Sequence, residues 1–188
     1  MNENEEELIL IETILQGDDS VYTKLVDKYK HYAYTIANRI MNSHEDAEEV
    51  AQDAFIKAFH GLKSFNRDSR FSTWLYRIVF NTAISYKRKK RVRLENIDDN
   101  ISEMSGTKDI DLTEYFDKKK FIDIALDKML PADATVINLF YLKEFSLEEI
   151  GDITGMRINA VKIKLFRARK RMANELRTML KSEATSLI

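Results

Sequence analysis

Residues 146–172, SLEEIGDITGMRINAVKIKLFRARKRM, decide how this chain is read. Ser146 suits a helix N-cap, and Glu149 three residues on completes a capping box. Leu147, Ile150 and Ile153 repeat at the spacing of one buried helical face. Gly155 permits a tight reversal. In the helix that follows, Ile158, Val161 and Leu165 are expected to face inward, leaving Lys162, Lys164, Arg167, Arg169, Lys170 and Arg171 for the outer surfaces. A short helix, a glycine turn and a cationic helix make a helix-turn-helix, whose second helix fits a DNA major groove. A plain helical hairpin with a solvated basic face has the same local pattern, so the rest of the chain must decide.

Working outward, charge is unevenly spread. The 188 residues sum to a net charge of −1, so nucleic-acid binding cannot be read from the total. Residues 1–20 hold seven acids and no Lys or Arg. Residues 62–93 hold ten cations against Asp68 alone, and residues 156–181 hold nine against Glu175. Between them, residues 94–135 carry eleven acids and five lysines. Two basic blocks flanking an acidic one suggest two phosphate-facing surfaces.

Several classes are disfavoured. There are no cysteines, which removes disulfides and thiolate metal sites and fits a reducing compartment. The acidic N-terminus is not a signal peptide, and no apolar run approaches the ~20 residues of a membrane span. His31, His44 and His60 lack metal-ligand spacing, and the five isolated glycines form no phosphate-binding motif. We expect no metal, cofactor, small-molecule substrate or catalytic residue, and a cytoplasmic protein that is not an enzyme and does not insert into membranes.

With five glycines and one proline, almost every segment reads helical: Glu7–Gln16, Val21–Met41, Glu45–Leu62, Phe71 to about Arg91, Glu114–Met129 and Ala132–Lys143, with Pro131 at a helix start. The second stripe is Leu25, Tyr29, Tyr32, Ile36 and Ile40. Ser43 and Asp46 cap the third helix. Periodicity disappears over 94–115, which reads as a flexible linker.

The first basic block interleaves Phe65, Phe71, Trp74, Tyr76 and Phe80 with Arg67, Arg70, Arg77 and the run Lys87 to Arg91. Aromatics beside cations suit unpaired bases, by stacking and phosphate neutralisation. Trp74, Ile78 and Phe80 serve equally well as core, whereas the polar, cationic loop at Phe65 to Arg70 suits an extruded base. The preceding helix buries Val50, Ala54 and Ala58, with Phe55, Ile56 and Phe59 widening the apolar face. Glu48, Glu49, Gln52 and Asp53 lie outside, as a solvated side or as a docking surface.

Taken together, DAEEVAQDAFIKAF, FNRDSRFSTWLYRIVFNTAISYKRKK, LFYLKEFSLEEIGDITG and VKIKLFRARKRM resemble a sigma-70-type sigma factor of the extracytoplasmic-function (ECF) group, over roughly residues 8–93 and 120–180. The resemblance implies an all-α protein of two small domains, with a sigma-2 bundle over 1–93, a linker over 94–119, and a sigma-4 domain over 120–188 whose helix-turn-helix lies at about 147–166. It implies that Glu49, Gln52, Asp53 and Lys57, in a motif with Val50, Phe55, Ile56 and Phe59, face the β′ clamp helices of core RNA polymerase. The β flap is a further polymerase contact. Ser64, Phe65, Asn66, Arg67, Asp68, Ser69 and Arg70 fall on the segment that captures a flipped base of the −10 element, and Tyr76, Arg77 and Asn81 on its recognition and melting helix. Arg157, Asn159, Ala160, Lys162, Ile163, Lys164, Phe166 and Arg167 fall on the −35 contacts. Promoter DNA and an anti-sigma factor are the other implied partners.

The chain departs from the family's common pattern at Asn159-Ala160, Lys162-Ile163-Lys164 and Asn66-Arg67. Ala160 and Ile163 offer no hydrogen bond to a base edge, but either can touch a thymine methyl. The rival reading is a helix-turn-helix regulator that binds duplex DNA without polymerase.

Overall fold

Helix-forming sequence with few breakers gives an all-α protein. The computed structural model describes residues 3–95, 118–142 and 144–186, and among these it contains eight α-helices and no strand. The linker expected over 94–119 lies almost wholly outside the described residues. No helix among them is long and apolar enough to cross a membrane.

The first unit is a bundle of α2 (Tyr22–Met41), α3 (His44–Gly61) and α4 (Phe71–Glu95), with α1 (Glu3–Leu15) laid across it. Ala33, Ala37, Ala47, Ala54, Ala58 and Ala83 are fully buried. These small side chains let the helices approach closely while favouring helix. The stripe on α2 runs through Leu25, Tyr29, Ala33, Ile36, Ala37 and Ile40. Tyr32, expected on it, is 40% exposed, because the stripe advances by four from Tyr29 to Ala33 and leaves Tyr32 about 100° off. Asn42 ends α2 with φ 56°, the left-handed cap that Asn tolerates. Ser43 then accepts from the Asp46 N–H at 3.3 Å, the cap expected for α3.

Helix α1 begins four residues before the expected Glu7. Ile11 and Ile14 enter the core, and Glu7 is buried, accepting from the Tyr29 hydroxyl and pairing with Lys28 at 2.6 Å. A buried carboxylate is tolerated because it is both paired and hydrogen-bonded.

The second unit comprises α5 (Lys118–Asp127), α6 (Pro131–Ile137), α7 (Leu147–Thr154) and α8 (Ile158–Ser186). Pro131 takes the first turn of α6, as expected. The single helix expected over Ala132–Lys143 instead widens into a π-helical turn at Asn138–Leu142. The widening carries the chain out of α6 and lets the Phe145 N–H donate to the Leu139 carbonyl at 3.2 Å.

The two units pack on each other, α7 against α4 and α6 against α2. Tyr76 and Phe145 meet edge-on across this boundary, and Arg39 of α2 bonds both Asp123 and Asp127 of α5, the Asp123 contact at 2.9 Å.

Candidate nucleic-acid interface

Three surfaces emerge, and the local folding of each explains its shape. The helix-turn-helix is set by its caps. Glu149 accepts from the Ser146 N–H at 2.9 Å, and Ser146 accepts from the Glu149 N–H at 3.1 Å. Ile150 and Ile153 are fully buried, with Leu147 packed beside them. Gly155 turns the chain at φ 72°, a conformation costly for residues with a Cβ. Gly151 has a different reason: a Cβ there would stand 2.9 Å from the Met156 carbonyl oxygen. In α8, Val161, Leu165 and Ala168 are buried. Ile158, expected inward, is 40% exposed, because it is the first residue of α8 and precedes the turn that seats on α7.

Arg157, Asn159, Ala160, Lys162, Ile163, Phe166 and Arg167 form one exposed face. Ile163 and Phe166 are 53% and 68% exposed, an apolar patch set among cations. Lys164, expected on the outside with them, is half-buried and turned toward Asp133 of α6. Farther along, the Arg169 guanidinium stacks over Phe140 and Tyr141 at 5.2 and 5.3 Å.

The second surface is the loop before α4 and the start of that helix. Ser64, Asn66, Arg67, Asp68 and Arg70 are exposed and Ser69 is half-buried. Phe65 turns inward, against Phe71 and Trp74 with ring centroids at 5.6 and 5.4 Å. Trp74, Ile78 and Phe80 are half-buried on the same core. Arg67 has φ 66°, and Asn66 donates to Asp68. The two arginines of the loop are each met by a carboxylate from another element: Arg67 by Glu12 of α1 at 2.9 Å, and Arg70 by Glu149 at 3.7 Å. Tyr76 is 1% exposed, between Tyr29 and Phe145, and burial pushes its hydroxyl pKa up. Arg77 and Asn81 are exposed. Arg77 also lines an open groove of about 630 Å³ with Glu148, Asp152 and Arg157.

The third surface is the outer side of α3. Val50 and Phe55 are buried, Phe59 is half-buried against Tyr22 at 5.0 Å, and Glu49, Gln52, Ile56 and Lys57 are exposed. Asp53 and Lys57 pair at 2.7 Å, and Lys57 also reaches Thr82 at 3.4 Å. The Tyr86 hydroxyl donates to Glu49 at 2.9 Å and to Asp46 at 3.3 Å. The Glu49 bond, with some desolvation and the nearby Asp46 charge, pushes Tyr86 up to about 12. Lys90 pairs with Asp46 at 2.6 Å, so the basic tail of α4 is anchored on the acidic start of α3. Burial pushes Tyr22, whose hydroxyl donates to the Phe55 carbonyl at 2.7 Å, up to about 12 as well.

The sequence reading missed Glu12, Phe145, Glu149 and Asp133 as partners of these surfaces. Asp133 carried a signal, an acid two residues after Pro131 in an otherwise apolar turn. The others act between elements distant in the chain and left no local trace. Among the described residues no group of His, Cys, Asp and Glu is placed to hold a metal ion.

Comparison with known proteins matches these units to one family. Residues 25–93 match Sigma-70 region 2, and residues 122–172 match Sigma-70, region 4. The chain is 31% identical to the ECF RNA polymerase sigma factor SigW of Bacillus subtilis (strain 168), over 90% of this chain and 96% of that protein. It is 32% identical to the ECF RNA polymerase sigma-E factor of Escherichia coli (strain K12), over 96% of this chain and 100% of that one. Among solved structures, it resembles the sigma factor RpoE in complex with the anti-sigma factor NepR from Bartonella quintana. The TM-score is 0.68 with 25% identity, over 83% of this chain and 96% of that one. It shares its fold with CnrH, solved in complex with the cytosolic domain of CnrY, at TM-score 0.63 and 23% identity over 90% of this chain and 96% of that chain. The two helical units, their order in the chain and these matches place the protein in the ECF group of sigma-70 sigma factors, which act in promoter-directed transcription initiation.

Proposed function

We propose that the three surfaces divide the work of a sigma factor residue by residue. The outer side of α3, with Glu49, Gln52, Asp53, Ile56 and Lys57, docks on the β′ clamp helices of core RNA polymerase. The loop Ser64 to Arg70 and the exposed Arg77 and Asn81 of α4 hold the non-template strand at the −10 element, where a base leaves the stack at a cost of a few kcal/mol. The exposed face of α8 enters the major groove at the −35 element, with the second unit also meeting the β flap. The division 1–93, 94–119 and 120–188 follows from this. RNA synthesis belongs to the polymerase, so the chain is not itself an enzyme, and it works in the cytoplasm alongside polymerase. An anti-sigma partner follows from the likeness to RpoE held by NepR.

The observation that carries this reading is the coexistence of two cationic faces of different kinds. One is a loop with flanking arginines ahead of an aromatic-rich helix. The other is a capped helix-turn-helix with a bare recognition face. A duplex-only regulator needs the second alone. Charge reversal Asp53→Lys is the test: co-purification with core polymerase is lost, while stability falls by only ~0.6–1 kcal/mol, as an exposed i,i+4 attraction to Lys57 is replaced by a like-charge repulsion of similar size. Retention at wild-type affinity refutes the α3 assignment and favours a polymerase-independent regulator. Sequencing transcript start sites made by the reconstituted holoenzyme gives both promoter elements together.

A further inference from the structure

The side chain of Asp133 is only 4% exposed, the least solvated carboxylate among the described ion pairs. It sits in the first turn of α6, where the helix N-terminus favours negative charge. Both of its oxygens are used by α8. Lys164 donates to Oδ1 at 3.1 Å and Arg171 donates to Oδ2. Positions 164 and 171 lie two turns apart on one side of a helix, so one carboxylate grips α8 at two levels. Such a grip fixes rotation and sliding together, which a single contact cannot do. Desolvating this carboxylate is unfavourable, and its pairing with the two cations offsets that cost.

The same geometry changes the role of Lys164. Its ammonium is bonded on the inner side of α8, whereas Arg157, Lys162 and Arg167 stay exposed on the outer face. A lysine that neutralises a buried carboxylate is not available to neutralise a phosphate. We propose that Asp133 is a positioning residue for the duplex-reading helix, and that Lys164 and Arg171 are its internal partners rather than DNA contacts. This rests on α8 being the duplex reader.

The test is the salt dependence of binding to a fluorescein-labelled 30-base-pair duplex of random sequence, using the full chain. Each phosphate contact adds ~0.9 to the slope of log affinity against log salt, or about a 3.5-fold loss between 50 and 200 mM salt. Arg167→Gln is expected to lower the slope by ~0.9, and Lys164→Gln to leave it unchanged. Asp133→Asn releases two cations and is expected to raise the slope by ~0.9 or more, while Asp133→Glu keeps the wild-type slope. Far-UV circular dichroism establishes that each variant is folded, and the lysine variant carries the test if Asp133→Asn is not. An equal fall in Lys164→Gln and Arg167→Gln overturns the proposal while leaving α8 as the duplex reader. So does an unchanged or lower slope in folded Asp133→Asn. No change in either cation variant instead refutes the duplex reading itself.

Discussion

The rings of Tyr76 and Phe145 meet at 90°, centroids 5.8 Å apart, one from α4 and the other from the segment that leads into the helix-turn-helix. Edge-to-face pairs of this kind contribute ~0.5–1.5 kcal/mol beyond burial. A double-mutant cycle with Tyr76→Leu and Phe145→Leu in urea unfolding is expected to return a coupling in that range. Coupling near zero means the two units do not share this contact in solution.

Arg39 ties the units at a second point. Its side chain is 10% exposed, whereas Asp123 and Asp127 are 48% and 69% exposed. Replacing both acids by Asn leaves a mostly buried guanidinium without its anions, at an expected cost of ~1–2 kcal/mol given the exposed partners. The chain has no cysteine, so dyes on Lys24→Cys and Lys170→Cys report the spacing of the units cleanly. Energy transfer is expected to fall in the double Asn variant. Unchanged transfer means other contacts suffice.

Glycine at 151 is required by space, not by backbone angle. Gly151→Ala drives a Cβ into the Met156 carbonyl at 2.9 Å, and backbone cannot give way as a flexible side chain does. Overpacking of this kind costs ~1–3 kcal/mol. The thermal midpoint is expected to drop, with weaker duplex binding as α8 shifts against α7. An unchanged midpoint rules out the clash.

Tyrosine ionisation provides a pH signature. Tyr22, by burial, and Tyr86, chiefly through its bond to Glu49, ionise only near 12 in the fold. Their ordinary value is about 10. The fold favours the protonated form, so this stabilisation is complete below about pH 10 and is lost as pH rises toward 12. Tyrosinate absorbance of the folded protein is expected to show a late phase that vanishes in urea and shrinks in Tyr86→Phe. If all eight tyrosines ionise together near 10, the Tyr86–Glu49 bond is not made.

What the sequence made legible was local. The Ser146–Glu149 capping box, the Ser43 cap, Pro131 at a helix start and the Ile150–Ile153 face are each decided within one turn of helix, and each is present. Ile158 and Tyr32 were misplaced because a periodic pattern does not say where a helix's contact with its neighbour begins or how the stripe drifts. Lys164 was read outward because its direction depends on Asp133 in another helix. Phe65 and Tyr76 carry the residue types of a base-binding surface, yet they turn inward, Phe65 onto Phe71 and Trp74 of the next helix and Tyr76 toward Tyr29 and Phe145, far away in the chain. The family was legible because it rests on the order of local motifs. The packing of one unit on the other was not, since no repeat or spacing encodes it.

The packing of the second unit on α4 has a thermodynamic consequence. A ligand that engages Tyr76 must displace Phe145, so it binds only those molecules in which the units have parted. Its apparent dissociation constant is then the intrinsic one divided by the open fraction. Substitutions at the boundary are expected to tune the affinity of such a ligand by changing that population alone.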